Sequence, residues 1–219
     1  GLKVLGKIDL SKFEKPKKEI VKGKENIYII DTNVFVDQPD IISKIDKQYQ
    51  VVLSAKVIDE LDKLKVTLPT EQQKQNVQNV HPMNTGGKWS FDFGTVKCVV
   101  AQHSSGLPDG TYGGNPMGYL FMTEEGNFYF SGDTALTLDM QLIPRWAKVD
   151  FAVLPIGDNF TMDAEDAATA AEFVQTQKVV GIHYDTFGYI KIDHQKAKDI
   201  FTNKKINLLL PAIGENIEI

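Results

Sequence analysis

One cysteine, two tryptophans and no long apolar run set the first limits on this 219-residue chain. A lone thiol, Cys98, cannot close an intrachain disulfide, which fits a reducing, cytoplasmic setting. It lies in the apolar run TVKCVV and is expected to be a buried strand residue. No stretch comes near the roughly 18 consecutive apolar residues of a membrane span, and no signal peptide is legible, so no membrane partner is expected. Excess positive charge is missing too. The chain has 24 Lys and Arg against 29 Asp and Glu, a net charge of −5 that argues against general affinity for nucleic acid phosphates. Its lysines gather at the start, where residues 1–25 carry eight of them against four acidic side chains. Such a lead-in reads as a solvated arm or helix face.

What is present is ordinary globular material: 42% hydrophobic and 24% charged residues, in a length that suits one large domain or two small ones. After the lead-in of residues 1–25, with one strand expected within Lys3–Ile8, NIYIID reads as a buried strand and QPDIISKID as a short helix. QVVLSA is a second strand, and KVIDELDKLK is a helix with Val57, Leu61 and Leu64 on its apolar face. Residues 26–65 are therefore β-α-β-α, the opening of a parallel sheet. Residues 66–79, polar and rich in Gln, read as a junction. Residues 80–219 then give strands at WSFDFG, TVKCVVAQH, GYLFMTEE and NFYFSGD, with a hairpin turn at EEG. LDMQLIPRWA reads as a helix, FAVLPIG as a strand and AEDAATAAEFVQTQ as a helix capped by Asp163 with Asp166 three residues on. VVGIHY is a strand, DHQKAKDIFTN a helix capped by Asp193, and INLLLPAI a closing strand.

Three ionisable residues fall at strand ends: His103 after TVKCVVAQ, Asp133 after NFYFSG and His183 after VVGI. Imidazole nitrogens with a carboxylate suit Zn²⁺, Mn²⁺ or Fe²⁺, and such ions polarise a scissile group near neutral pH. Singly, each is more often a core, rim or turn residue. The stretches VHPMNTGGKWSFDFGTVKCVVAQHSSGLPDGTYGGNPMGYLF, FYFSGDTALTLDM, LPIGDNFTMDAEDAA and GIHYDTFGYIKIDH together resemble a family of metal-dependent hydrolases in the metallo-β-lactamase superfamily. The resemblance spans about residues 80–219. It implies that His103, Asp133 and His183 are ligands of a binuclear zinc or manganese site acting on a small-molecule substrate. It implies catalytic roles for Asp133 and Asp158, and a pocket formed by Gly157, Asn159, Tyr184 and Asp185. His81 and His194 read as structural. The His-x-His-x-Asp-His motif of such enzymes is absent from the sequence, so the ligand set is short and activity is expected to be impaired.

IYIIDTNVFVD and VIDELDKLK resemble the start of PIN-domain ribonucleases, in the version fused to PhoH-like ATPases. That resemblance implies Mg²⁺ or Mn²⁺ held by Asp31 and Glu60, with Thr32 and Asn33 orienting the first carboxylate; oxygen ligands suit these hard ions. Nucleic acid is a partner only on this alternative. Asp37, with Asp31, is placed where the missing histidines would stand if this segment extends the C-terminal sheet. The expected architecture is thus α/β: the C-terminal half of a metallo-β-lactamase-type α/β/β/α sandwich preceded by a PIN-like β-α-β-α segment. A recombined chain without catalysis is the third alternative.

Overall fold

The computed structural model describes residues 81, 83–106, 112, 114–212, 217 and 219, with the backbone of three short strands before them. The chain divides into two compact units. One comprises residues 1–81, 107–113 and 211–219; the other comprises residues 82–106 and 114–210.

In the first unit, β1 (Lys3–Val4), β2 (Ile27–Ile29) and β3 (Gln50–Val52) form a parallel sheet in that order. The three expected strands therefore exist. Among the described residues β2 pairs with β1 on one side and with β3 on the other, in a sheet separate from the seven-stranded one. The helices expected between them, the junction at 66–79, and Asp31, Asp37 and Glu60 lie outside the described residues.

The second unit is built on seven strands: β4 (Lys88–Phe91), β5 (Gly94–Val100), β6 (Met117–Thr123), β7 (Gly126–Phe130), β8 (Phe151–Pro155), β9 (Lys178–Ile182) and β10 (Asn207–Leu209). Their order in the sheet is β10-β9-β8-β7-β6-β5-β4. Strands β4 to β7 are antiparallel neighbours, joined tightly enough that Phe91 pairs with Gly94 and Thr123 with Gly126. From β7 onward the pairing is parallel, because each connection now carries a helical crossover. The expected EEG hairpin is the β6–β7 turn. Helix α1 (Ala164–Phe173) links β8 to β9, and α2 (His194–Asn203) links β9 to β10.

Both helices begin where the sequence places their caps. Asp163 accepts a hydrogen bond from the Asp166 amide at 2.8 Å, and Asp193 one from the Lys196 amide at 3.0 Å. LDMQLIPRWA forms a 3-10 helix over Leu138–Arg145 instead of an α-helix. Pro144 within it lacks the N–H that an α-helical turn would use, and a tighter, shorter-range winding accommodates it.

The central strand β8 is buried on both faces along its whole length, so it reads as a continuous apolar run. Leu120, Tyr129, Ala152 and Leu154 join the helices' Met140, Ile143, Ala167, Ala171 and Phe201 in one core. Four fully buried alanines, Ala167, Ala168, Ala170 and Ala171, let α1 lie close to its neighbours. The other face carries Phe121, Phe128, Phe151, Val153 and Val180, also buried. Cys98 is buried as expected, and burial raises its thiol pKa against the opposing charge of Lys97. No helix of the described residues is long and apolar enough to cross a membrane.

Candidate metal centre

Parallel pairing brings the C-terminal ends of β7, β8 and β9 to one rim, the place where α/β sheets expose side chains to a crevice. Three residues past β7, Asp133 follows Gly132, which turns with φ +63. One residue past β9 stands His183, itself at φ +57. A β-carbon makes that left-handed conformation uncommon, and outliers of this kind collect at functional sites. Asp158, Asn159 and Asp185 on the adjoining loops share it, with φ of 60, 52 and 60.

Between these two strands, Gly157 stands two residues past the end of β8. A Cβ there would collide with the His183 carbonyl and stand 3.0 Å from Ile190 Cβ, so only glycine lets the His183 turn close over β8. Across this gap His183 Nε2 lies 4.0 Å from Asp133 Oδ2. That is too long for a hydrogen bond. It is within the reach of two metal–ligand bonds of about 2.0–2.2 Å each to a shared ion. The His183 Nδ1 is buried with no hydrogen-bond partner, a cost an imidazole ordinarily avoids.

His103 belongs to the same rim by backbone tethering. The Gln102 amide donates to Thr134 Oγ1 at 2.9 Å, and the Ala135 amide donates to the Gln102 carbonyl at 3.0 Å. These two bonds fasten the segment after β5 to the Asp133 loop. His103 Nδ1 donates to the Ser104 carbonyl at 3.0 Å, which places the neutral ring's lone pair on Nε2. The donors fit a divalent ion by type. They do not stand as a closed cluster, however: among the described residues no three His, Cys, Asp or Glu side chains converge as a metal-holding group. The structure brings Asp133 and His183 together and ties His103's backbone beside them, while its ring is engaged locally.

The expected pocket residues divide into two loops. Asp158 is exposed, and its Oδ1 accepts the Asn159 amide at 2.6 Å while its carbonyl accepts the amides of Phe160 and Thr161. Part of its carboxylate therefore closes its own loop. Asp185 holds the other loop to the start of α2, accepting from the Ile192 amide at 3.0 Å and from His194 Nε2 at 2.5 Å. Desolvation works upward on Asp185, but the hydrogen bonds from His194 and Ile192, with the charges of His194 and Lys191, leave its carboxyl below the ordinary carboxylate value. Tyr184 meets the His194 ring edge-on at 5.5 Å. His194 is the residue that sequence reasoning set aside as a helix start. Its link to Asp185 had no signal in spacing, because nine residues and a 3-10 turn at Gly188–Ile190 separate them.

With this geometry in view, the chain's relatives are informative. A model of the beta-lactamase superfamily domain matches residues 36–184, and so takes in much of the segment that resembles a PIN domain. A UPF0173 metal-dependent hydrolase of Flavobacterium johnsoniae is 57% identical over 141 residues, covering 64% of this chain and 63% of that protein. One from Methylacidiphilum infernorum is 45% identical over 157 residues, covering 72% of this chain and 69% of that protein. The chain thus spans somewhat under two thirds of the Flavobacterium relative's length. Among solved structures, a metallo hydrolase from the archaeon Ignicoccus hospitalis superposes with a TM-score of 0.68 at 22% identity, over 97% of this chain and 84% of that one. That likeness establishes the fold, a metallo-β-lactamase α/β fold with a mixed sheet. The chain belongs to the UPF0173 metal-dependent hydrolase family of the beta-lactamase superfamily.

Proposed function

We propose that the rim formed by β7, β8 and β9 is a divalent-metal centre that hydrolyses a small-molecule substrate, with zinc or manganese held by Asp133 and His183 and completed by His103. The observation that carries this reading is the Asp133–His183 pair. A carboxylate and an imidazole face each other at 4.0 Å, unbonded, with the imidazole's other nitrogen buried and unpartnered. That separation is longer than a hydrogen bond and suits two ligands of one ion.

When bound, such an ion supplies Lewis acidity to the group undergoing attack. The chain's own residues do the rest. Asp133 contributes the anionic oxygen that suits a doubly charged ion. Gly157 gives the His183 turn its room, and the Asp185–His194 bond holds the far end of that loop. Asp158 keeps Oδ2 for exchanging a proton with substrate while Oδ1 holds its loop. Asn159, Tyr184 and Asp185 border the approach. Three protein donors are the usual complement of one catalytic zinc. Without the His-x-His-x-Asp-His motif this set serves one ion rather than two, binds it weakly, and turns substrate over slowly.

Zinc titration against a chromophoric chelator tests the assignment. Asp133→Asn and His183→Ala are each expected to weaken zinc binding by about tenfold or more, with the far-UV spectrum retained. An exposed carboxylate elsewhere, tested as Asp199→Asn, should leave it unchanged. Wild-type affinity in both site variants would remove the centre from this rim.

A further inference from the structure

Three aromatic side chains stand in the open on the loops that carry the candidate centre. Phe160 is 52% exposed, Phe187 45% and Tyr189 76%. Their ring centroids form a nearly equilateral triangle with sides of 6.0, 6.4 and 6.5 Å. Tyr189 meets both phenylalanines edge-on, while Phe160 and Phe187 are tilted by 34°. Full burial of such a ring is worth roughly 1.5–3 kcal/mol and these rings leave about half or more of it unused, so a contiguous exposed cluster marks a place where something else completes the packing.

The cluster is anchored to the site. Phe160 sits two residues beyond Asp158, on the loop closed by the amide bonds to the Asp158 carbonyl and by the Asp158 amide donating to the Met162 carbonyl at 3.0 Å. Phe187 and Tyr189 follow His183 on the loop that the Asp185 amide closes onto the Ile190 carbonyl at 2.8 Å. The two loops meet where Gly157 packs against His183 and Ile190. The backbone that carries the rings is therefore fastened to the turns that carry Asp158 and His183. Their surroundings are acidic: Asp158, Asp163, Glu165 and Asp166 share the Phe160 side, close enough that burial and then the charges of Asp163, Asp158 and Glu165 raise the Asp166 pKa. An anionic ligand would meet repulsion there.

We propose that Phe160, Phe187 and Tyr189 form a substrate subsite that receives a ring-sized apolar group bearing no negative charge, part of the small molecule whose reactive end reaches the Asp133–His183 rim. The three rings already touch one another, so a ligand ring would lie across the open side of the cluster, where it can meet all three at the usual spacing of about 4.5–7 Å between aromatic centroids; three side chains are far fewer than the roughly 20–30 residues a side of a stable protein interface. The proposal rests on the metal-centre reading only for the identity of the occupant as substrate; the subsite itself binds without metal.

The test uses the metal-free chain and NMR titration with benzyl alcohol, benzoate and tert-butanol as probes. Benzyl alcohol is expected to shift the Tyr189 ring resonances with roughly millimolar affinity, and Phe160→Ala or Phe187→Ala should weaken it about threefold to tenfold. Both residues are exposed, so the variants should keep the wild-type fold, checked by their unchanged amide spectrum. Benzoate and tert-butanol should bind at least about threefold more weakly. Equal binding of benzoate, an unmoved Tyr189 ring, or wild-type affinity in both variants would overturn the proposal. So would a concentration-dependent dimer abolished by Phe187→Ala, which would assign the cluster to a second copy. If benzyl alcohol binds but zinc affinity ignores Asp133 and His183, the subsite stands and the hydrolytic reading falls; the converse result removes the subsite alone.

Discussion

Gly157→Ala is expected to damage the centre more than any other single-methyl change in the chain. The added Cβ runs into the His183 carbonyl and sits 3.0 Å from Ile190 Cβ, so neither backbone nor side chain can yield without moving the β9 turn. Overpacking of this kind costs about 1–3 kcal/mol, and here the displaced residue is His183, the proposed ligand. Zinc affinity should therefore fall about as far as in His183→Ala, although no ligand has been altered. Denaturant unfolding with parallel zinc titration checks both effects. A variant with wild-type stability and wild-type affinity would mean that the His183 turn does not depend on a side-chain-free strand end at β8.

Phe128→Ala should produce the largest loss of stability. Phe128 on β7 stacks against Phe121 on β6 at 4.4 Å with rings 2° from parallel, and against Phe151 on β8 at 5.0 Å and 5°. The three are directly opposed in the ladder, so their register and their stacking are one fact. Phe128 is wholly buried. Truncation removes its burial and leaves a cavity between two rings, costing about 3–5 kcal/mol, a large share of the roughly 5–15 kcal/mol that holds a domain together. A shift in the urea midpoint at constant slope is the expected result. A loss below about 1 kcal/mol would show that the face opposite the helices is not core.

The strands, the helix caps and the buried Cys98 were legible because each has a local cause: apolar runs, an Asp that accepts an amide three residues on, a thiol among valines. The switch from antiparallel to parallel pairing followed from connection length. The 3-10 winding of Leu138–Arg145 was masked by an amphipathic pattern that Pro144 overrides. Asp133 and His183 could be named from their strand ends and from family resemblance, yet their 4.0 Å approach depends on β8 lying between β7 and β9 and on Gly157 just past its end, a relation that exists only in three dimensions. Asp, Asn and His are the non-glycine types that most readily take up left-handed backbone, as Asp158, Asn159, His183 and Asp185 do, but those types are common in loops and do not mark the turn by themselves. The Asp185–His194 bond and the Phe160–Phe187–Tyr189 triangle, each made across two turns, escaped a reading by spacing.

Zinc K-edge X-ray absorption on the zinc-loaded chain tests the central claim most directly. Coordination by Asp133, His183 and His103 predicts a nitrogen and oxygen shell at about 2.0–2.1 Å with imidazole multiple scattering, and that scattering should diminish in His183→Ala. A shell without imidazole, a sulfur shell near about 2.3 Å, or a spectrum unchanged by His183→Ala would contradict it.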